Sequence, residues 1–134
     1  MATAVRPLQS AIVRKLKDHS GLMTRVTGVY DDVPEDASYP YVSVGSITET
    51  ADDAHNRQGL DSLVVLHVWS DYQGFAEAAD IFAAVDAALD RQPLDVPGWT
   101  DVSIRHESHD FLKDPDPRIR HVYAQYRVRL TRSI

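Results

Sequence analysis

Leu8, Ile12 and Leu16 recur every four residues near the start of the chain, with Val5 and Ala11 beside them and Arg6, Arg14, Lys15 and Lys17 on the rest of the wheel. That spacing predicts one amphipathic helix. Pro7 suits its first turn, where no amide donor is needed, and Ser20-Gly21 is expected to end it. Residues 22–30 are rich in β-formers and predict a short strand. Between Asp31 and Tyr39, Pro34 together with Asp31, Asp32, Glu35 and Asp36 breaks any period and predicts a loop. Tyr41 to Thr48 alternates as a strand does, without deciding which face is buried. Glu49 to Gly59 has no apolar period and is expected to be a mobile loop carrying Asp52, Asp53, His55 and Arg57.

Leu60 to Ser70 is the strongest strand pattern, and its nearly continuous apolar middle predicts a central place in a sheet. Ser70 and Asp71 are expected to cap a second helix, on which Phe75, Ala78, Phe82, Val85 and Leu89 form one apolar stripe opposite Glu77, Asp80, Asp86 and Asp90. Pro93 and Pro97-Gly98 lie beyond its end. Two strand-like runs follow, Trp99 to Phe111 and Arg118 to Arg132, joined across Lys113-Asp-Pro-Asp-Pro117 as a hairpin with a long tip. In the last run Val122, Ala124, Tyr126, Val128 and Leu130 share one face, and Tyr123, Gln125, Arg127, Arg129 and Thr131 the other. The order predicts one α+β domain over residues 1–134, with a mostly antiparallel sheet of four to five strands and two helices packed on one face. The other face is then an amphipathic surface suited to a partner.

The chain has 134 residues, enough for a single core that buries about 68% of the surface an unfolded chain exposes. It has no cysteine, which rules out disulfides, zinc–thiolate sites and a cysteine nucleophile. Its longest strongly apolar stretch, Leu63 to Ser70, falls far short of the roughly 20 residues of a membrane helix. The opening Met-Ala-Thr-Ala-Val-Arg-Pro lacks the basic region and apolar run of a secretory signal, so a soluble intracellular product is expected. A formal charge of −6 argues against generic affinity for nucleic acid.

No enzyme signature stands out. His106, Glu107, His109 and Asp110 resemble a metal cluster, but positions 106 and 109 of a regular strand point to opposite faces unless a bulge intervenes, and His67 or His121 would be a third ligand only by chance of folding. No Gly-x-Ser-x-Gly occurs, the glycines are scattered singly, and the acidic loop lacks the spacing of a calcium site. No cofactor is expected. Charge asymmetry is the informative feature. Residues 31–53 hold seven carboxylates and no Lys or Arg, whereas residues 118–132 hold Arg118, Arg120, Arg127, Arg129 and Arg132 and no carboxylate. This reads as ordinary solubility charge, as self-association in which unlike surfaces of successive subunits meet in a ring, or as a channel in which arginines face DNA.

The succession of motifs adds a resemblance. Ser38-Tyr39-Pro40-Tyr41-Val42-Ser43-Val44, then Leu66-His67-Val68-Trp69-Ser70, the helix from Gly74 to Leu89, Gln92-Pro93-Leu94, Asp114-Pro115-Asp116 and Val122-Tyr123-Ala124-Gln125-Tyr126-Arg127-Val128 together resemble the small tail-completion or tail-terminator proteins of long-tailed phages and gene transfer agents. The resemblance spans nearly the whole chain. It implies a virion protein of the tail and neck, present in the host cytoplasm during assembly, that forms a homo-hexameric ring. Its implied partners are the tail tube protein on one side, a head-completion or connector protein on the other, and DNA passing through. Interface residues would be Asp52, Asp53, His55, Arg57, Arg118, Arg120, Arg127 and Arg129, with Arg127, Arg129 and Arg132 facing the lumen. A small oligomeric ferredoxin-like ligand-binding domain or enzyme is the alternative.

Overall fold

A computed structural model describes residues 2–133. The elements run α1 (Val5–Lys17), α2 (Ser20–Met23), β1 (Gly28–Tyr30), β2 (Tyr41–Ala51), β3 (Gly59–Ser70), α3 (Ala76–Leu89), β4 (Trp99–Lys113) and β5 (Arg120–Arg132). All five strands join one sheet in the order β1-β2-β3-β5-β4, parallel only between β1 and β2. The chain is thus α+β with a mostly antiparallel sheet and β3 at its centre.

Among the described residues three helices form rather than two, α2 being a single short turn. Asp18 N–H still bonds the Arg14 carbonyl, so α1 stops where its apolar period stops. His19 Nδ1 then accepts from Leu22 N–H at 3.1 Å and starts a new turn, which buries Leu22. Ser20-Gly21 therefore lies inside α2 instead of terminating α1.

Both long helices cover the same sheet face. Leu8, Ile12 and Leu16 from α1 and Ile81, Val85 and Leu89 from α3 join Val42, Leu66, Val122, Tyr126 and Val128 in one cluster. Each such side chain contributes roughly 1.5–3 kcal/mol by leaving water. Tyr126 is fully buried and donates its hydroxyl hydrogen to Asp86 Oδ1 on α3 at 2.9 Å. Ser70 does not cap α3. The N-cap is Phe75, without a side-chain bond, and Ser70 Oγ instead accepts from Tyr72 N–H and donates to Glu77 Oε1 at 2.7 Å.

The expected loop at residues 49–59 is shorter than predicted: residues 49–51 extend β2, Gly59 opens β3, and residues 52–58 form the connection. Glu49 pairs with Ser62 and Ala51 with Leu60, leaving a short tip closed by an Asp52 N–H bond to the Gly59 carbonyl and an Ala54–Arg57 bridge. Glycine is required at 59, because a Cβ there would overlap the Asp52 carbonyl oxygen. A bulge between Val44 and Ile47 explains why β2 showed no single buried face: Val42 and Val44 point to the helices before it, Ile47 and Glu49 after it.

Candidate assembly interface

The sheet face away from the helices divides into two halves. Toward the end where β3 finishes and β5 begins it is aromatic. Trp69 and His121, cross-strand partners, stack with ring centroids 3.9 Å apart, and His67 Nδ1 lies 2.6 Å from His121 Nε2. Tyr41 packs against Tyr30 and Tyr39 on the adjoining strands and loop, and Trp69 Nε1–H donates to Ser43 Oγ at 3.3 Å. Gly45 leaves the room His67 needs, since a Cβ there would come within 2.6 Å of its Nε2. Burial lowers the pKa of His67 and takes that of His121 from 6.5 to about 4, with His67 adding to the effect and Asp114 opposing it. Burial and the neighbouring tyrosines raise the Tyr41 phenol.

The other half is charged. Arg127 on β5 reaches Asp61 Oδ1 on β3 at 2.9 Å and Glu107 Oε1 on β4 at 2.9 Å, bridging three adjacent strands. Both carboxylates hold its guanidinium more firmly protonated than usual. Arg129 lies on the same face, 3.9 Å from Asp61. Glu107, Arg127 and Arg129 line, with Ser103, Arg105 and His106, an open hollow of about 380 Å³. Arg105 makes no hydrogen bond or ion pair among the described residues.

The residues singled out from sequence fall into three places. Asp52, Asp53, His55 and Arg57 sit at the β2–β3 tip, near Arg132, whose N–H donates to the Gln58 carbonyl and whose side chain bonds Gln58 Oε1. Arg57 lies 4.0 Å from Asp101, and Asp53 accepts from Gly59 N–H. Arg127 and Arg129 share the outer face, as their alternation requires. Arg118 and Arg120 belong to the opposite end of the sheet. Arg118 grips Asp116 at 2.8 Å and holds that carboxyl at about 2, while Arg120 lies over the Phe75 ring on the helix side of β5.

His106 and His109 do meet, with ring nitrogens 2.9 Å apart, because a bulge between His106 and Ser108 supplies the irregularity that shared placement needs. No third ligand joins them: among the described residues no group of three or more His, Asp or Glu side chains is arranged to hold a metal. Sequence reasoning missed Asp61, Arg105 and Glu107 as neighbours of Arg127. Their only signal is the pairing of Asp61 with Arg129 and of Arg105 with Arg127, which requires knowing the strand register.

Comparisons with known proteins bear on this surface. The family described as Tail completion protein gp17 matches residues 10–131. Tail completion protein gp17 of Bacillus phage SPP1 is 30% identical over 130 residues, covering 97% of this chain and 96% of that protein. A chain in the virion of the native gene transfer agent (GTA) particle superimposes with a TM-score of 0.90 at 26% identity, covering 98% of this chain and 99% of its own. The structure of bacteriophage SPP1 gp17 gives a TM-score of 0.62 at 29% identity, over 97% of this chain and 91% of that one.

Proposed function

Because the chain belongs to the tail completion protein gp17 family, we propose that it assembles as a ring that caps the finished tail tube and forms part of the head-to-tail joint. It is a structural tail-completion protein of the virion and not an enzyme. The ligand-binding or enzymatic alternative falls with that membership. No helix among the described residues is long and apolar enough to cross a membrane.

The observation that carries the ring-and-joint reading is the near-complete superposition on a chain that stands in an assembled particle. The fold supports it physically. A joining piece needs two unlike ends on a stiff body, and the sheet provides them: the β2–β3 tip with Arg132 at one end, the β4–β5 tip with Arg118 at the other. In the ring, one tip meets the tail tube protein and the other the head-completion or connector protein. Asp52, Asp53, His55, Arg57 and Arg118 are docking contacts, while Arg127 and Arg129 lie at the boundary between subunits. Arg132 has no carboxylate within 4 Å among the described residues and is the best placed to face passing DNA. Arg127 is engaged by its own chain's carboxylates, so a lumen it lined would grip phosphate weakly.

The test is removal of the gene from a producing strain, followed by electron microscopy of the lysate and native mass measurement of the protein recovered on purified tails. Full heads and unjoined tails, restored by supplying the chain in trans, with six copies per tail end, are expected. Normally joined particles without the chain would overturn the reading.

A further inference from the structure

The charge asymmetry becomes sharper once in-chain pairings are removed. Among the carboxylates of residues 31–53, Glu49 accepts bonds from Thr3 Oγ1 and Ala4 N–H, Asp53 accepts from Gly59 N–H, and Asp52 lies at the β2–β3 tip. Asp32, Glu35 and Asp36 are exposed in the β1–β2 loop and have no cation within 4 Å among the described residues; Asp31 lines a hollow with Arg14 and Lys17. Among the arginines, Arg118 and Arg120 are engaged locally and Arg127 is saturated by Asp61 and Glu107. Arg132 bonds Gln58 at the β2–β3 tip; beside these stand Arg105, without a partner among the described residues, and Arg129, whose side chain is 65% exposed with its nearest carboxylate at 3.9 Å. Both line the same hollow.

These two remainders sit at opposite sides of the sheet. The acidic loop leaves β1, one edge strand, and the hollow is built on β4 and β5 at the other edge. Four interstrand steps separate β1 from β4, about 19 Å at the usual spacing. Resting on the ring reading above, we infer that successive subunits meet side by side, the Asp32–Asp36 loop of one copy entering the Arg105–Arg129 hollow of the next. The contact joins unlike surfaces and so repeats in one direction, closing when the rotation between copies closes. The guanidinium fork suits a carboxylate guest. Side-chain insertion, rather than continuation of the sheet, is what the β4 edge allows. It carries two bulges and exposed Arg105, Glu107 and Asp110, features that disfavour strand pairing with a neighbour.

The cysteine-free chain provides a direct test. Asp36→Cys and Arg105→Cys in one chain lie at opposite sheet edges, too far apart for a bridge within a single copy, whose Cα atoms would have to stand within about 7 Å. Oxidised on tail tubes, the double variant should give a ladder of covalent multimers ending at the ring number, while each single variant gives none. Arg105→Glu with Arg129→Glu should lower ring yield on tubes by about tenfold or more, and Glu35→Arg with Asp36→Arg in the same chain should restore it. Rings of normal mass without a ladder, or charge reversal without loss, would overturn this contact while leaving the ring intact. Failure of the unaltered chain to form rings on tubes would sink the functional reading and this contact with it.

Discussion

Lowering the pH from 7 to 5 should weaken the fold through the His67–His121 pair on the outer sheet face. The two ring nitrogens stand 2.6 Å apart, so one donates a single shared proton and the other accepts it. A second proton would set donor against donor. Trp69 stacks on His121 at 3.9 Å and Tyr123 meets His67 edge-on, which removes much of the water that would solvate an imidazolium; Asp114 is the one carboxylate that favours it. The folded chain therefore keeps His121 neutral down to about 4, whereas an unfolded chain protonates it near 6.5. Between those values the unfolded state binds more protons, so stability rises with pH, is fully present above 6.5, and falls as pH drops toward 4. Full desolvation would make the loss about 2 kcal/mol by pH 5. Both rings are only half-covered, and solvent screening reduces this to about 1 kcal/mol, or a fall of about 4 °C in Tm. Urea unfolding at pH 7 and pH 5 of the unaltered chain and of His121→Asn checks it. The unaltered chain should lose about 1 kcal/mol more than the variant. Equal losses, or a His121 NMR titration centred near 6.5, would refute the reasoning.

Two further outcomes follow from the fold. Tyr126→Phe should cost about 1–2 kcal/mol in urea unfolding, because it strips Asp86 of the 2.9 Å bond that ties α3 to the sheet; an unchanged midpoint would mean that water replaces that bond without loss. Replacing Asp52–Gln58 by an Asn-Gly turn should leave Tm within a few degrees, since the flanking β2–β3 ladder supplies the pairing, and should abolish joining; particles that join normally would remove the tip from the mechanism.

What the sequence made legible follows the strength of its periodicity. β5 alternates without interruption, so its buried and open faces were readable to the residue, and β3's apolar run announced its central place. α3's stripe and its stop ahead of Pro93 were equally plain. Legibility failed wherever the backbone breaks its own period. The bulge in β2 exchanges its faces after Val44, and the bulge in β4 brings His106 and His109 together although their numbering separates them. The end of β2, Glu49 to Ala51, is polar because it is solvated, which made it look like loop; register against β3, not composition, makes it strand. The charged hollow was illegible for a related reason. Arg127 and Arg129 could be placed together from alternation, but Asp61, Arg105 and Glu107 join them only through pairings 20 or more residues away in the chain.

The same arrangement bears on how such a piece waits before it assembles. A surface meant for several unlike partners invites premature association if it is broadly apolar. Here the aromatic half of the outer face is largely consumed by contacts within itself, Trp69 on His121 and Tyr41 between Tyr30 and Tyr39, and among the described residues the large hydrophobic side chains that stand exposed are Tyr72 and Leu112. Arg127 does the equivalent for charge, neutralised in place while locking β3, β5 and β4 into one stiff plate. A free copy then offers its neighbours mainly separated, solvated charges, whose pairing is weak and screened by salt. In the proposed assembly, that weakness makes the tube end necessary. By holding several copies at high local concentration, a finished tube turns contacts too feeble in solution into a closed ring, so that closure follows completion of the tail instead of preceding it.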